Sequence, residues 1–305
     1  MLQLSTQIRI GGLLPSRVRT RPYRAVIAQH CSRPLGWGPQ YEASKLLMSA
    51  LDLLIAALAA VAAGAINALA GGGTLISFPV LVAVGVPPVA ANITNAIALC
   101  PGYCGATIAQ LPNLKGQRAQ LLMLLPVAAV GGLAGGVILV STGERTFTAL
   151  VPWMILLASL LLAVQEPVKK FVSQRLSSAS RKHQHGALAV LPIAAAAIYG
   201  GFFSAGMGVL LLAVLGLTVD DSLTRLNALK QVLSLAINVA AAAFFLFSDR
   251  VLWPAAAVMA VGALIGGALG GKLAGKLSPS VLRRTVVIAG IGIAVAYWLK
   301  SADAS

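Results

Sequence analysis

The sequence predicts an all-α polytopic membrane protein of two homologous halves, each a glycine-broken helical pair followed by three spans. Three observations predict it. The 305 residues are 58% hydrophobic and only 10% charged, with a mean hydropathy of +0.87, whereas soluble domains carry about 25% charged residues. Apolar segments follow one another along the chain, several near the ~20 residues that a bilayer-crossing helix needs. Glycine clusters, an asparagine and a GG-x-x-GG motif then recur at one constant offset.

Residues 1–47 stand apart. They hold Arg9, Arg17, Arg19, Arg21, Arg24, Arg33 and Lys45 against the single acid Glu42, and no long apolar run marks a signal peptide. The expectation is a basic tail, either disordered or lying ahead of a true start at Met48. The first half, 48–165, reads as apolar segments near 50–70, 74–86, 89–110, 119–141 and 147–164. A basic connection over 166–187 follows, with Lys169, Lys170, Arg175, Arg181 and Lys182 against Glu166. The second half, 188–300, has segments near 188–204, 208–218, 221–247, 251–275 and 282–299. Segments 74–86 and 208–218 are too short to cross about 30 Å upright. Each follows a glycine cluster, Gly71-Gly72-Gly73 or Gly206-Met207-Gly208. Broken helices or re-entrant hairpins are therefore expected, and such backbone survives at membrane depth only where protein or water covers it.

An offset of 135 residues aligns Gly71 with Gly206, Gly73 with Gly208, Asn92 with Asn227 and Asn95 with Lys230. It also aligns Gly131-Gly132 with Gly266-Gly267, and Gly135-Gly136 with Gly270-Gly271. Repeats of this kind underlie many secondary transporters. GG-x-x-GG places small residues on one helix face and predicts close helix packing rather than ligand contact. The excess of Lys and Arg puts the connections at 165–187 and 272–284 in the cytoplasm. If each broken pair enters and leaves on one side, each half makes three further crossings and the second half is inverted. That arrangement leaves the basic tail outside, where it is disfavoured. A start at Met48, or a complete crossing by the first broken pair, would each remove the conflict.

The net charge of +15 sits in the tail and connections, and nothing resembles a nucleic-acid recognition module. Cys31, Cys100 and Cys104 form no CxxC or disulfide pattern and read as small packing residues. His30, His183 and His185 lie outside the apolar segments, so no haem, metal or other cofactor is expected. The acids after the tail, Asp52, Glu144, Glu166, Asp220, Asp221, Asp249 and Asp303, all fall at segment ends or in connections. Lys230 is the exception among charges. Thr218 to Ser222 reads as a helix start, with capping residues and acids suited to the dipole. Lys230 then lies about 14 Å into the helix at 1.5 Å per residue. A mid-helix lysine costs roughly 2.5–3.5 kcal/mol on insertion scales, so either its long stem reaches the interface or an anion or water-filled cavity meets it. Asn92 and Asn227 precede Asn95 and Lys230 by one turn, and Thr94, Gln231 and Asn238 add polar groups nearby. Half-helix N-termini at the two breaks favour anions. The candidate anion site is thus Gly71, Gly72, Gly73, Thr74, Asn92, Thr94, Asn95, Gly206, Gly208, Asn227, Lys230, Gln231 and Asn238. Gly71-Gly72-Gly73 is no phosphate loop, since no lysine and Ser/Thr follow at the required spacing.

At these residues the chain resembles the sulfite exporter TauE/SafE family of membrane transporters. The first-half match runs from Gly64 to Thr74, then Phe78-Pro79, then Ala90 to Asn95. The second-half match is Gly201 to Gly208, Asn227 to Lys230, Asn238 and Trp253. The likeness covers about residues 50–300. The second half lacks the full triple glycine and a counterpart of Pro79. The resemblance implies a multi-pass plasma-membrane carrier for sulfite, sulfonates or related small sulfur-containing anions. A secondary transporter working by alternating access is the expected function, with a passive anion channel as the alternative. No paired His, Ser–His or metal-ligand constellation suggests an enzyme. The expected partners are the anion and the bilayer, with a homo-oligomer left open.

Overall fold

The computed structural model describes residues 48–69, 72–178, 189–273 and 279–302. The expected tail 1–47, Gly71, and residues 179–188 and 274–278 of the two basic connections lie outside the described residues. What is described is helical, without strands, as expected for a polytopic membrane protein.

Helix α1 (Ala50–Leu69) opens on a reciprocal cap in which the Ser49 N–H donates to Asp52 at 2.9 Å and the Asp52 N–H to the Ser49 hydroxyl at 3.2 Å. The short α2 (Thr74–Ala83) starts at the glycine break, where Gly72 holds φ at +91°, a conformation that costs glycine little. Pro88 in the first turn starts α3 (Pro88–Gln110), which passes into a 3₁₀ turn, Leu111–Leu114. Next come α4 (Arg118–Ser141) and α5 (Glu144–Ala163). The connection carries a helix of its own, α6 (Gln165–Ser178), which its polar composition did not announce. The second half contains α7 (Val190–Phe203), α8 (Met207–Thr218), α9 (Leu223–Phe245), α10 (Trp253–Leu273) and α11 (Pro279–Ala302). Gly206, at φ +78°, turns the chain between α7 and α8, and the Ser222 hydroxyl caps α9 by accepting from the Arg225 N–H.

The 135-residue offset extends to these boundaries. Helices α9, α10 and α11 each begin 135 residues after α3, α4 and α5, and α8 ends 135 residues after α2. The packing respects the same exchange. Its two dominant cross-contacts are α1 on α10 and its counterpart α7 on α4, followed by α4 on α9 and α3 on α10. Helices α3 and α9 meet each other, as do α5 and α11. Among the described α-helices, α6 alone has no described counterpart.

The GG-x-x-GG face is the instrument of the closest of these contacts. A Cβ on Gly132 would run into the Ile237 backbone, one on Gly135 into the Ile198 carbonyl, and one on Gly266 into the Val61 carbonyl. Removing side chains there lets helix backbones touch, which is how helices associate in a solvent as apolar as their own surfaces. Among the described residues, four helices, α1, α4, α5 and α9, are each long and apolar enough to cross a membrane. Large apolar side chains cover the outside, among them Leu58, Leu122, Val130, Trp153, Leu160, Val261 and Ile288. Water would penalise so continuous an apolar surface; lipid does not.

Candidate functional site

The two breaks meet. The Thr74 and Ser204 hydroxyls, one beside each break, lie 3.2 Å apart and share a buried hydrogen bond. Both breaks back onto the end of α5: Gly72 faces Leu162, and Gly206 faces Leu161 and Ala158. The first amides of α2 and α8 are partly used locally, since the Leu75 N–H donates to Gly72 and the Val209 N–H to Gly206, both at 3.0 Å.

A cavity of about 820 Å³ opens beside this junction. Seven of the thirteen sequence-derived candidates line it: Gly72, Thr74, Gly206, Gly208, Asn227, Lys230 and Gln231. Lys230 runs its stem past the α8 break, so that a Cβ on Gly208 would sit 3.8 Å from the lysine Cδ. Its ammonium donates to the Asn227 Oδ1 at 2.8 Å, one turn earlier on α9. An amide oxygen leaves the positive charge uncancelled.

Of the other described candidates, none lines this cavity and most hold helices together. The Asn92 amide donates to the Phe202 carbonyl at 2.8 Å, and the Thr94 hydroxyl accepts from the Leu252 N–H at 3.1 Å. The Asn238 amide donates to the Ala96 carbonyl at 3.1 Å and to the Cys100 sulfur at 3.0 Å. Gly73 packs on the Ala63 backbone. Asn95 is fully buried, and neither its amide nitrogen nor its oxygen has a hydrogen-bond partner among the described residues.

Sequence reasoning missed part of the lining. Ser204 and Asn67 line the cavity beside the glycine clusters, and Gln110 and Asn113 line it at the end of α3. Gln165 and Lys169 come from α6. The polar residues flanking each glycine cluster were a readable signal for the first two. The α6 pair had none, because a polar connection gives no hint that it folds back over a cavity. Among the described lining residues the only charged groups are Lys169 and Lys230, and both are cations.

The exposed residues of the lining are Gly105 and Ala109 of α3, Thr224 at the start of α9, and Leu264 and Ala268 of α10, and Ala109 and Thr224 mark a mouth at the polar end. Two further ties sit at this end. Glu166 accepts from Lys169 at 3.2 Å and from Arg283 of α11 at 2.8 Å. Burial opposes charge on Glu166, but those hydrogen bonds and positive charges outweigh it and hold the carboxyl below its ordinary value. Asp221 accepts from Arg225 at 2.6 Å and from the Gln117 amide at 2.8 Å, while Arg225 also donates to the Lys115 carbonyl.

The cavity's lining does not include the phenylalanines farther along the helices. Leu162 and Gln165 line the cavity, whereas Phe147 is 15 residues back along α5 from Leu162, roughly 22 Å at 1.5 Å per residue. Phe147 joins Phe78, Phe202 and Phe203 in a knot of rings, with Phe78 and Phe203 centred 5.3 Å apart and Phe147 and Phe202 5.6 Å apart, edge to face. Phe203 directly precedes Ser204. The offset places Ala213, Leu282, Asn67 and Ala68 opposite Phe78, Phe147, Phe202 and Phe203, so the aromatic knot is not repeated. A second asymmetry accompanies it. Gly132 is pressed against Ile237, while its counterpart Gly267 has nothing within 4 Å and lines the cavity. The counterpart of Ile237 is Gly102, which is equally open and also lines the cavity.

Comparison with known proteins bears on what this arrangement serves. The chain is similar to a "Probable membrane transporter protein" of Haemophilus influenzae, 27% identical over 225 residues, 73% of this chain and 85% of the relative. It is also similar to the "Probable membrane transporter protein YfcA" of Escherichia coli K12, 24% identical over 251 residues, 80% of this chain and 89% of the relative. A "Probable membrane transporter protein ORF9" of a Sinorhizobium species is 25% identical over 242 residues, 78% and 89% of the two chains. No solved structure matches the chain. The family model described as "Sulfite exporter TauE/SafE" matches residues 56–297. With that match spanning both halves, both breaks and the cavity between them, the chain belongs to the sulfite exporter TauE/SafE family of membrane transporters.

Proposed function

We propose that this protein is a secondary transporter that moves a small sulfur-containing anion, such as sulfite or a sulfonate, across the plasma membrane by alternating access. The observation that carries the reading is a cavity at two apposed helix breaks whose described charges are both cations. Lys230 is the anchor, positioned by Asn227, with Thr74, Ser204 and Gln231 supplying neutral hydrogen bonds. A lysine this deep in a bilayer-spanning helix carries a desolvation cost that a bound anion or cavity water offsets.

The two halves act as an inverted repeat, with α6 and the start of α11 on the cytoplasmic side by their basic residues. The cavity then faces the cytoplasm, and the phenylalanine knot seals the far side. In the complementary state the knot separates and the α6 end closes. That seal argues against a continuous pore and so favours a carrier over a passive channel.

The test is sulfite flux in proteoliposomes. Flux is expected to saturate and to be stimulated by sulfite on the far side. Lys230→Ala is expected to lower it at least ten-fold, the effect of losing about 1.4 kcal/mol of binding. Unchanged flux and affinity in that variant would remove Lys230 from the site. Non-saturating flux without exchange would identify a channel.

A further inference from the structure

We propose that Glu166 is a built-in competitor for the transported anion, holding Lys169 at the cavity mouth as a second, displaceable anion contact. Lys169 and Lys230 are the two charged residues among the described lining, and they come from different elements, α6 and α9. Among the described residues the Lys230 ammonium is hydrogen-bonded to a neutral amide. Lys169 has a carboxylate at 3.2 Å, and both of its ion-pair side chains are about one-third or more exposed, 34% and 40%. A pair this open is weak and exchangeable. Glu166 is itself divided, because Arg283 draws it at 2.8 Å from a side chain only 11% exposed. The less exposed partner, at the shorter distance, anchors the carboxylate to α11, and Lys169 receives what is left. An anion that reaches the mouth meets an ammonium whose counter-ion is already committed elsewhere. It replaces Glu166 on Lys169, and the carboxylate remains neutralised by Arg283. No charge is stranded at any step, so the exchange is cheap in both directions. The triad also spans α6 and α11, so occupancy of Lys169 is felt at the connection between the two halves.

This rests on the anion-transport reading only in supposing that anions use the cavity, and its test needs no transported substrate. Cys31, Cys100 and Cys104 are replaced by serine, and Ala109→Cys at the exposed mouth serves as reporter. Its reaction rate is measured with anionic sulfonatoethyl methanethiosulfonate and with cationic trimethylammonioethyl methanethiosulfonate. Neutral methyl methanethiosulfonate is the control for folding and access. Glu166→Gln is expected to raise the anion-to-cation rate ratio about two- to five-fold, the scale of a partly exposed ion pair. Lys169→Gln is expected to lower it by a similar factor. The double variant is expected to gain less from Glu166→Gln than wild type does, because without Lys169 the carboxylate has only Arg283 left to neutralise. Additive effects in the double variant would mean that net charge alone matters, and would overturn the proposal. So would a fall or no change in the ratio on Glu166→Gln with the neutral reagent unaffected. If flux proves insensitive to Lys230 while these rates behave as expected, the transport reading fails and the mouth contact stands.

Discussion

At the scale of single residues, the glycines and amides do different work despite their similar prominence in the sequence. The GG-x-x-GG glycines act by absence. Gly201 of α7, which packs on that face, acts in the same way, since a Cβ there would enter the Gly132 carbonyl of the neighbouring helix. Gly201→Ala is expected to lower the melting temperature in detergent by several degrees, from an overpacking cost of about 1–3 kcal/mol. Gly143→Ala, where nothing lies within 4 Å, is expected to leave it unchanged, and the paired melting curves are the check. The amides act by presence, and here the sequence was less legible. It marked Asn92, Asn95, Asn227 and Asn238 as one group because spacing and chemistry are all that a sequence displays. The structure assigns Asn92 and Asn238 to interhelical hydrogen bonds and Asn227 to the cavity. Which amide meets a lysine and which meets a carbonyl depends on helix rotation, and no periodicity reports that.

At the scale of elements, the broken helices were legible because length and glycine clustering both show in one dimension. The breaks at Gly72 and Gly206 follow directly from short apolar runs with a φ-permissive residue at their head. Helix α6 was not legible, because its apolar face is minimal and its placement follows from packing on α8. The tie between the turn before α4 and the turn before α9 offers a test at this scale. Partial burial disfavours charge on Asp221, but the hydrogen bonds from Arg225, Gln117 and the Ser222 N–H, with the charge of Arg225, outweigh it and depress its pKa. A carboxyl lowered in the folded state stabilises fully above its unfolded value, about 3.9, and loses that contribution as pH falls through the depressed value. Asp221→Asn is therefore expected to melt earlier than wild type at pH 7. The gap should narrow as the pH is taken below about 4, read as melting temperature against pH. A gap independent of pH would assign the effect to shape rather than charge.

At the scale of the whole molecule, the constant offset made the repeat plain, and the proposed transport cycle rests on the asymmetry built on it. Four phenylalanines cluster at only one of the two places that the offset relates, and the open Gly102 and Gly267 stand where the offset has the packed Ile237 and Gly132. If the knot is the seal, Phe147→Ala with Phe203→Ala should turn coupled exchange into a leak. The expected signature is anion conductance in planar bilayers that wild type lacks, and an unaltered conductance would place the seal elsewhere. Asn95 carries a last consequence. Its amide is buried, and neither polar atom has a hydrogen-bond partner among the described residues, a state that costs roughly 1–3 kcal/mol. Its repeat counterpart, Lys230, lines the cavity, so in the proposed cycle Asn95 gains water when the opposite face opens. The stored penalty is refunded in the state where the phenylalanine contacts are lost. The two facings are thereby drawn together in free energy, so that in the proposed cycle both stay populated and neither return step is slowed by an overly stable resting state.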